Sequence, residues 1–200
     1  APSAASAKGT TTTPVDAAST DGAAAPRPSD GCGTQPDVAL MDPDQRPGDV
    51  EQTFSSGGVE RTYRLGVPAG YDPDQPAPLL LNLHGSGSNA LQAAVYGDVP
   101  RKAAERGFIT VTPDAIDGKW QLAGSGTDDD FLVGLVDDIE QRSCIDRDRE
   151  HIIGMSLGAW KAALTTCQHP GRFASVALVT VEVHPPGCGP TSVIAFHGTA

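Results

Sequence analysis

Residues 154–160 read "GMSLGAW". The Gly-x-Ser-x-Gly pattern can hold a serine on a strained strand-to-helix turn, with its hydroxyl presented for nucleophilic attack. In a chain with 23 glycines the pentapeptide alone is weak, so its flanks decide. "HIIGMSLGAWKAAL" reads as strand, tight turn and helix. Gly154 and Gly158 then fall where helix and strand approach too closely for a Cβ. Ser156 would sit at a helix N-terminus, whose free N–H groups and dipole favour a developing negative charge.

A second stretch, "LLLNLHGSGSNA", places a Gly/Ser loop after a buried strand, well upstream of the serine. Such a loop supplies one N–H of an oxyanion hole, and the residue after the nucleophile supplies the other. The donors here would be Ser86 and Leu157. His84 has the wrong strand order for a base and is expected to hold the loop's shape by local hydrogen bonds. Trp120, in the polar loop "DAIDGKWQLAGSG", either walls the acyl or aromatic part of a substrate or packs under its own loop. Trp160 is expected in the core. Asp128, Asp129 and Asp130 open a helix, where negative charge is favoured without a metal.

These residues need a scaffold to bring them together. "DVEQTFSSGGVERTYRLGVP" alternates around Ser55-Ser56-Gly57-Gly58 and predicts a β-hairpin. "LLLNLHG" (79–85), "FITVTPDA", "EHIIG", "FASVALVT" and "TSVIAFHG" (191–198) predict strands, mostly apolar throughout. Helical spacing covers 89–106, ending at Gly107. In "DDDFLVGLVDDIEQRSC" it places Phe131, Leu132, Leu135, Val136 and Ile139 on one face. Strands alternating with helices predict an α/β fold, its mostly parallel sheet covered on both faces.

Taken together, residues 31–200 resemble the secreted esterases grouped as polyhydroxybutyrate depolymerase-like and feruloyl esterase-like proteins, within the α/β-hydrolase superfamily. The matching pieces are "YRLGVPAGYDPDQPAPLLLNLHGSGSN", "DDDFLVGLVDDI", "CIDRDREHIIGMSLGAWKAAL", "CQHPGRFASVALV" and "SVIAFHGTA". The resemblance implies Ser156 as nucleophile, Ser86 and Leu157 as oxyanion donors, and disulfides linking the cysteines. Two departures stand out: Ala159 where a further glycine is common, and "VTVEVHPPG" where an Ala/Gly-rich turn is usual.

In this fold the triad runs serine, acid, histidine. The family's acid follows "HGT-x", one position past Ala200, and its histidine lies further on. The sequence is therefore expected to lack its acid, its histidine, and the last strand and helix, leaving the 200 residues poorly stable and nearly inactive. Glu182 and His184 are weak internal substitutes, only two residues apart. His151 and His169 fall at the far end of the sheet, and His197 belongs to the turn.

Cys144 and Cys167 both fall at the end of the sheet away from Ser156. A Cys144–Cys167 bridge is therefore expected, with Cys32–Cys188 by elimination. Four cysteines allow three connectivities, and the sequence does not choose among them. No Cys-x-x-Cys pair or zinc-finger spacing points to a metal.

The bulk properties bound the rest. Residues 1–30 hold one valine and no larger apolar side chain, which predicts a disordered Ala/Thr/Pro-rich linker. That leaves 31–200 for one domain. A net charge of −11 argues against nucleic acid or an anionic membrane as partner, and no apolar run reaches a membrane span. Four widely spaced cysteines favour disulfides and an exported protein, extracellular or periplasmic. The expectation is a monomeric serine esterase without a cofactor, acting on polymeric or small esters: hydroxyalkanoate polyesters, or feruloyl or acetyl polysaccharide esters. The competing reading is an inactive binding domain that keeps the fold without a complete triad.

Overall fold

A computed structural model describes residues 25–42, 48–122, 127–181 and 183–198. The hairpin forms as its alternation predicts. β1 (Val50–Ser56) and β2 (Val59–Gly66) pair antiparallel around Gly57 and Gly58, both at positive φ, as a two-residue hairpin turn demands. On β2 the inward positions Arg61, Tyr63 and Leu65 are buried.

β3 (Ala77–Leu83), β4 (Ile109–Pro113), β5 (Ile145–Met155), β6 (Ser175–Val179) and β7 (Ser192–Phe196) complete one sheet. Its strand order is β1-β2-β4-β3-β5-β6-β7. β1–β2 and β2–β4 are antiparallel, and every other pairing is parallel. The α/β expectation of a mostly parallel sheet is met.

The helices are α1 (Ala90–Tyr96), α2 (Val99–Ala104), α3 (Thr127–Arg142) and α4 (Leu157–Gln168). Alternation along β6 shows that two of them cover opposite faces. Val176 and Leu178 share a cavity with Ala163 of α4, while Ser175 and Ala177 share a groove with Ala103 of α2. Phe131, Leu132, Leu135, Val136 and Ile139 of α3 are all fully buried, the stripe read from the sequence. All five residues of β7 are exposed, Val193, Ile194 and Phe196 among them.

The helix expected over 89–106 is two. Pro100 lacks the N–H a continuous helix needs and clashes with the preceding turn, and Asp98 takes φ 53. β5 is also longer than the "EHIIG" stretch, because its polar first half is paired by chain from upstream. Ser29 N–H donates to the Ile145 carbonyl, Arg147 N–H donates to the Arg27 carbonyl, and Pro28 bridges Asp146 antiparallel. The folded part thus begins before Gly31, taking in residues 25–30 of the expected linker; residues 1–24 lie outside the described residues.

The same segment corrects the disulfides. Gly31 N–H donates to the Glu140 carbonyl, and a Cβ on Gly31 would lie 2.5 Å from the Ser143 nitrogen. This close approach sets Cys32 against Cys144, and the bridges are Cys32–Cys144 and Cys167–Cys188. Cys144–Cys167 and Cys32–Cys188 do not form. Cys167 ends α4 beside the loop that enters β7, so Cys188 is its neighbour.

Candidate active site

Ser156 stands between the end of β5 and the first residue of α4, exposed, with φ 52 and ψ −118. Such a backbone costs an L-residue of order 1–3 kcal/mol and persists only where the surroundings enforce it. Two contacts enforce it. A Cβ on Gly154 would lie 2.2 Å from the Gly158 oxygen, and one on Gly158 would lie 2.4 Å from the Leu83 oxygen. Only glycine fits at either position, so strand and helix close tightly around the serine. The Ser156 N–H donates to the Val179 carbonyl at 3.0 Å, anchoring the turn to the end of β6.

The Gly/Ser loop after β3 runs alongside. A Cβ on Gly85 would lie 3.6 Å from the Ser156 Cβ. Ser86 is exposed beside it. Leu157 opens α4, where an N–H has no intrahelical acceptor. Among the described residues neither the Ser86 nor the Leu157 N–H is taken by a backbone carbonyl. The arrangement can therefore hold a negative oxygen next to an exposed hydroxyl.

His84 is 1% exposed. Its Nε2 accepts the Ala115 N–H at 3.0 Å, which leaves Nδ1 protonated to donate to the Gly85 carbonyl at 2.7 Å. Burial holds its pKa below the usual histidine value, against the Gly85 hydrogen bond and the charge of Asp114. It is a neutral brace for the loop. Trp120 is 3% exposed, and its indole N–H donates to the His84 carbonyl at 2.8 Å. Trp120 therefore packs beneath the loop and offers no face to a substrate. Trp160, expected in the core, is 41% exposed on the first turn of α4.

The remaining histidines lie elsewhere. His184 lines a cavity of about 390 Å³ with Thr166, Cys167, Val176 and Val193, against the C-terminal half of α4 and away from its serine end. Glu182 lies outside the described residues. His151 is inside β5, its Nδ1 paired with the Ser175 hydroxyl at 2.8 Å, and His169 caps the C-terminus of α4. Among the described residues no histidine is hydrogen-bonded to Ser156. Thr180, in the segment where the resemblance expects a small-residue turn, takes φ 70, and its N–H donates to the Phe196 carbonyl at 2.8 Å.

Reasoning from sequence missed the partners of the acids that open α3. Asp128 pairs with Arg61 and Asp129 with Lys161, all four side chains nearly or fully buried. Among the described residues no cluster of three or more His, Cys, Asp or Glu could hold a metal.

No family model matches the chain. Feruloyl esterase C of Emericella nidulans is 26% identical over an alignment of 165 positions that covers 76% of this chain and 60% of that protein. Feruloyl esterase B of Piromyces equi is 27% identical over 117 residues, 55% of this chain and 22% of that one. The chain spans about half the length of the curated relatives it matches. Among solved structures, S-formylglutathione hydrolase from Staphylococcus aureus superposes with a TM-score of 0.58 at 19% identity, covering 66% of this chain and 56% of that one. A ferulic acid esterase gives 0.56 at 23%, covering 66% and 59%. At such identities the likeness establishes the fold: this chain has the α/β-hydrolase fold.

Proposed function

We propose that the chain is the nucleophile-bearing part of an exported serine carboxylic-ester hydrolase. The observation that carries this is Ser156 itself, exposed at φ 52 at the start of α4 and beside the Gly85–Ser86 loop, where among the described residues no backbone carbonyl takes the Ser86 or Leu157 N–H. Ser156 Oγ attacks the ester carbonyl carbon and gives its proton to a histidine. The two N–H groups hold the resulting oxyanion. The alcohol then leaves with that proton, and water, deprotonated by the same histidine, releases the acid from the acyl-enzyme. The histidine and its orienting acid come from beyond Ala200, a reading supported by the relatives' greater length. The similarity to feruloyl esterases favours an aromatic ester of plant polysaccharide as substrate. Two disulfides favour an oxidising compartment, and the protein works as a monomer.

The test uses the protein as its source makes it, with the intact mass measured first against 20.6 kDa. A fluorophosphonate should label Ser156, and Ser156→Ala should abolish both labelling and turnover of methyl ferulate. Preference for hydroxybutyrate oligomers over ferulate would reassign the substrate to polyesters. A folded, full-length protein that resists labelling would overturn the enzyme reading in favour of an inactive binding domain.

A further inference from the structure

The loop that carries Ser86 does not stand alone. It rests on residues 114–121 at four points. The Ala115 N–H and the Trp120 indole hold His84, the Gly118 carbonyl takes the Gly87 N–H at 2.8 Å, and an Asp114 carboxylate oxygen takes the Ala90 N–H at 2.6 Å. Residues 114–121 are tied in turn, at both ends, to one side chain from the far hairpin. Arg61 of β2 donates through Nε and Nη2 to the Asp114 carbonyl at 3.2 and 2.8 Å. Its Nη1 meets Asp128 at 2.6 Å, and the other oxygen of Asp128 accepts the Gln121 N–H at 2.6 Å. The guanidinium sits 3.7 Å from the centre of the Phe131 ring and is 5% exposed.

We propose that Arg61 is a positioning residue for the oxyanion hole: it brackets residues 114–121 so that they hold His84 and Gly87, and through them the Ser86 N–H. The inference rests on the ester-hydrolase reading of Ser156. An arginine suits this place because its planar fork serves two acceptors in different directions, which a single ammonium cannot do with the same geometry. Its charge also balances Asp128, which would otherwise be a buried, unpaired carboxylate. Its contacts are with Asp114, Asp128, Trp120 and Phe131 and not with Ser156; its effect passes through the loop.

Two variants of the full-length protein separate positioning from plain stability. Arg61→Lys keeps the buried charge but not the fork. Arg61→Met with Asp128→Asn removes both charges, keeps an acceptor for the Gln121 N–H and deletes the tie to Asp114. Each should lower kcat for methyl ferulate roughly 10- to 100-fold, with KM within about threefold, because a misplaced oxyanion donor costs transition-state binding alone. Two readouts need no turnover: the imidazole nitrogen shifts of His84 should lose the Nδ1–H pattern, and the Ser86 amide should exchange about 10-fold faster or more. Wild-type kcat and unchanged His84 and Ser86 signals in the double variant would overturn the proposal, as would the same result in Arg61→Lys if the double variant does not fold. If the wild-type protein turns over no ester, the functional reading fails and the two nuclear-magnetic readouts still decide whether Arg61 sets the loop.

Discussion

Lys161 of α4 and Asp129 of α3 meet at 2.7 Å with side chains only 1% and 3% exposed. The Thr165 hydroxyl donates to the other Asp129 oxygen at 2.8 Å. The pair locks α4, the helix that follows Ser156, against α3 with both charges buried. Lys161→Met should therefore cost about 3–5 kcal/mol by leaving Asp129 uncompensated. Adding Asp129→Leu should recover most of the loss. Denaturant melts of the three proteins check both steps.

Strain at Ser156 predicts a trade. Ser156→Gly should stabilise the fold by about 1 kcal/mol, because glycine adopts φ 52 without penalty, while labelling disappears. Ser156→Ala, which keeps the strained backbone and loses the hydroxyl, should melt near the wild type. Gly154→Ala and Gly158→Ala should each cost roughly 3 kcal/mol or more, since their Cβ atoms would meet backbone oxygens at 2.2 and 2.4 Å. Thermal melts of the four variants would reveal the order.

These same residues show what a sequence can carry. The glycines, the serine and the buried stripe from Phe131 to Ile139 follow local rules of spacing and close approach, and they were readable. So is the split at Pro100, although the apolar spacing runs straight through it. The ion pairs of Asp128 and Asp129 were not readable, for Arg61 and Lys161 lie 67 and 32 residues away and no local pattern couples them. The bridges failed for a related reason. Knowing which cysteines lie at the bottom of the sheet does not say that residues 27–29 pair antiparallel with the start of β5.

At the base of the sheet Glu150 and Glu140 face the same arginine, Arg172, and Arg147 holds Glu140 at 2.7 Å. Burial, with the hydrogen-bonded Glu140 carboxyl second, pushes Glu150 up to about 9. A carboxyl whose folded pKa is raised binds its proton in the native state after the unfolded chain has lost it. Its contribution to stability is complete below about 4.5, and stability falls as pH rises from there toward about 9. Glu150→Gln imitates the protonated form and should flatten that fall. Its Tm at pH 8.5 should exceed the wild type's by roughly 2–6 °C, with little difference at pH 4.5. A wild-type curve that stays flat across this range would contradict the buried proton.

The two bridges should differ in worth. Cys32–Cys144 closes 112 residues and Cys167–Cys188 closes 21, so chain entropy ranks them at about 4–5 and about 3 kcal/mol. Paired Cys→Ser variants should lose stability in that order, and non-reducing peptide maps should recover these two pairings.

The chain has two tryptophans, and the fold treats them oppositely: Trp160 is 41% exposed, while Trp120 is 3% exposed and hydrogen-bonded to the loop beside Ser156. Their fluorescence is thereby divided. Iodide reaches one indole and not the other, and a Trp160→Phe protein emits from beneath the loop after β3 alone. The molecule carries its own optical gauge of whether that loop is seated, readable without any ester being cleaved.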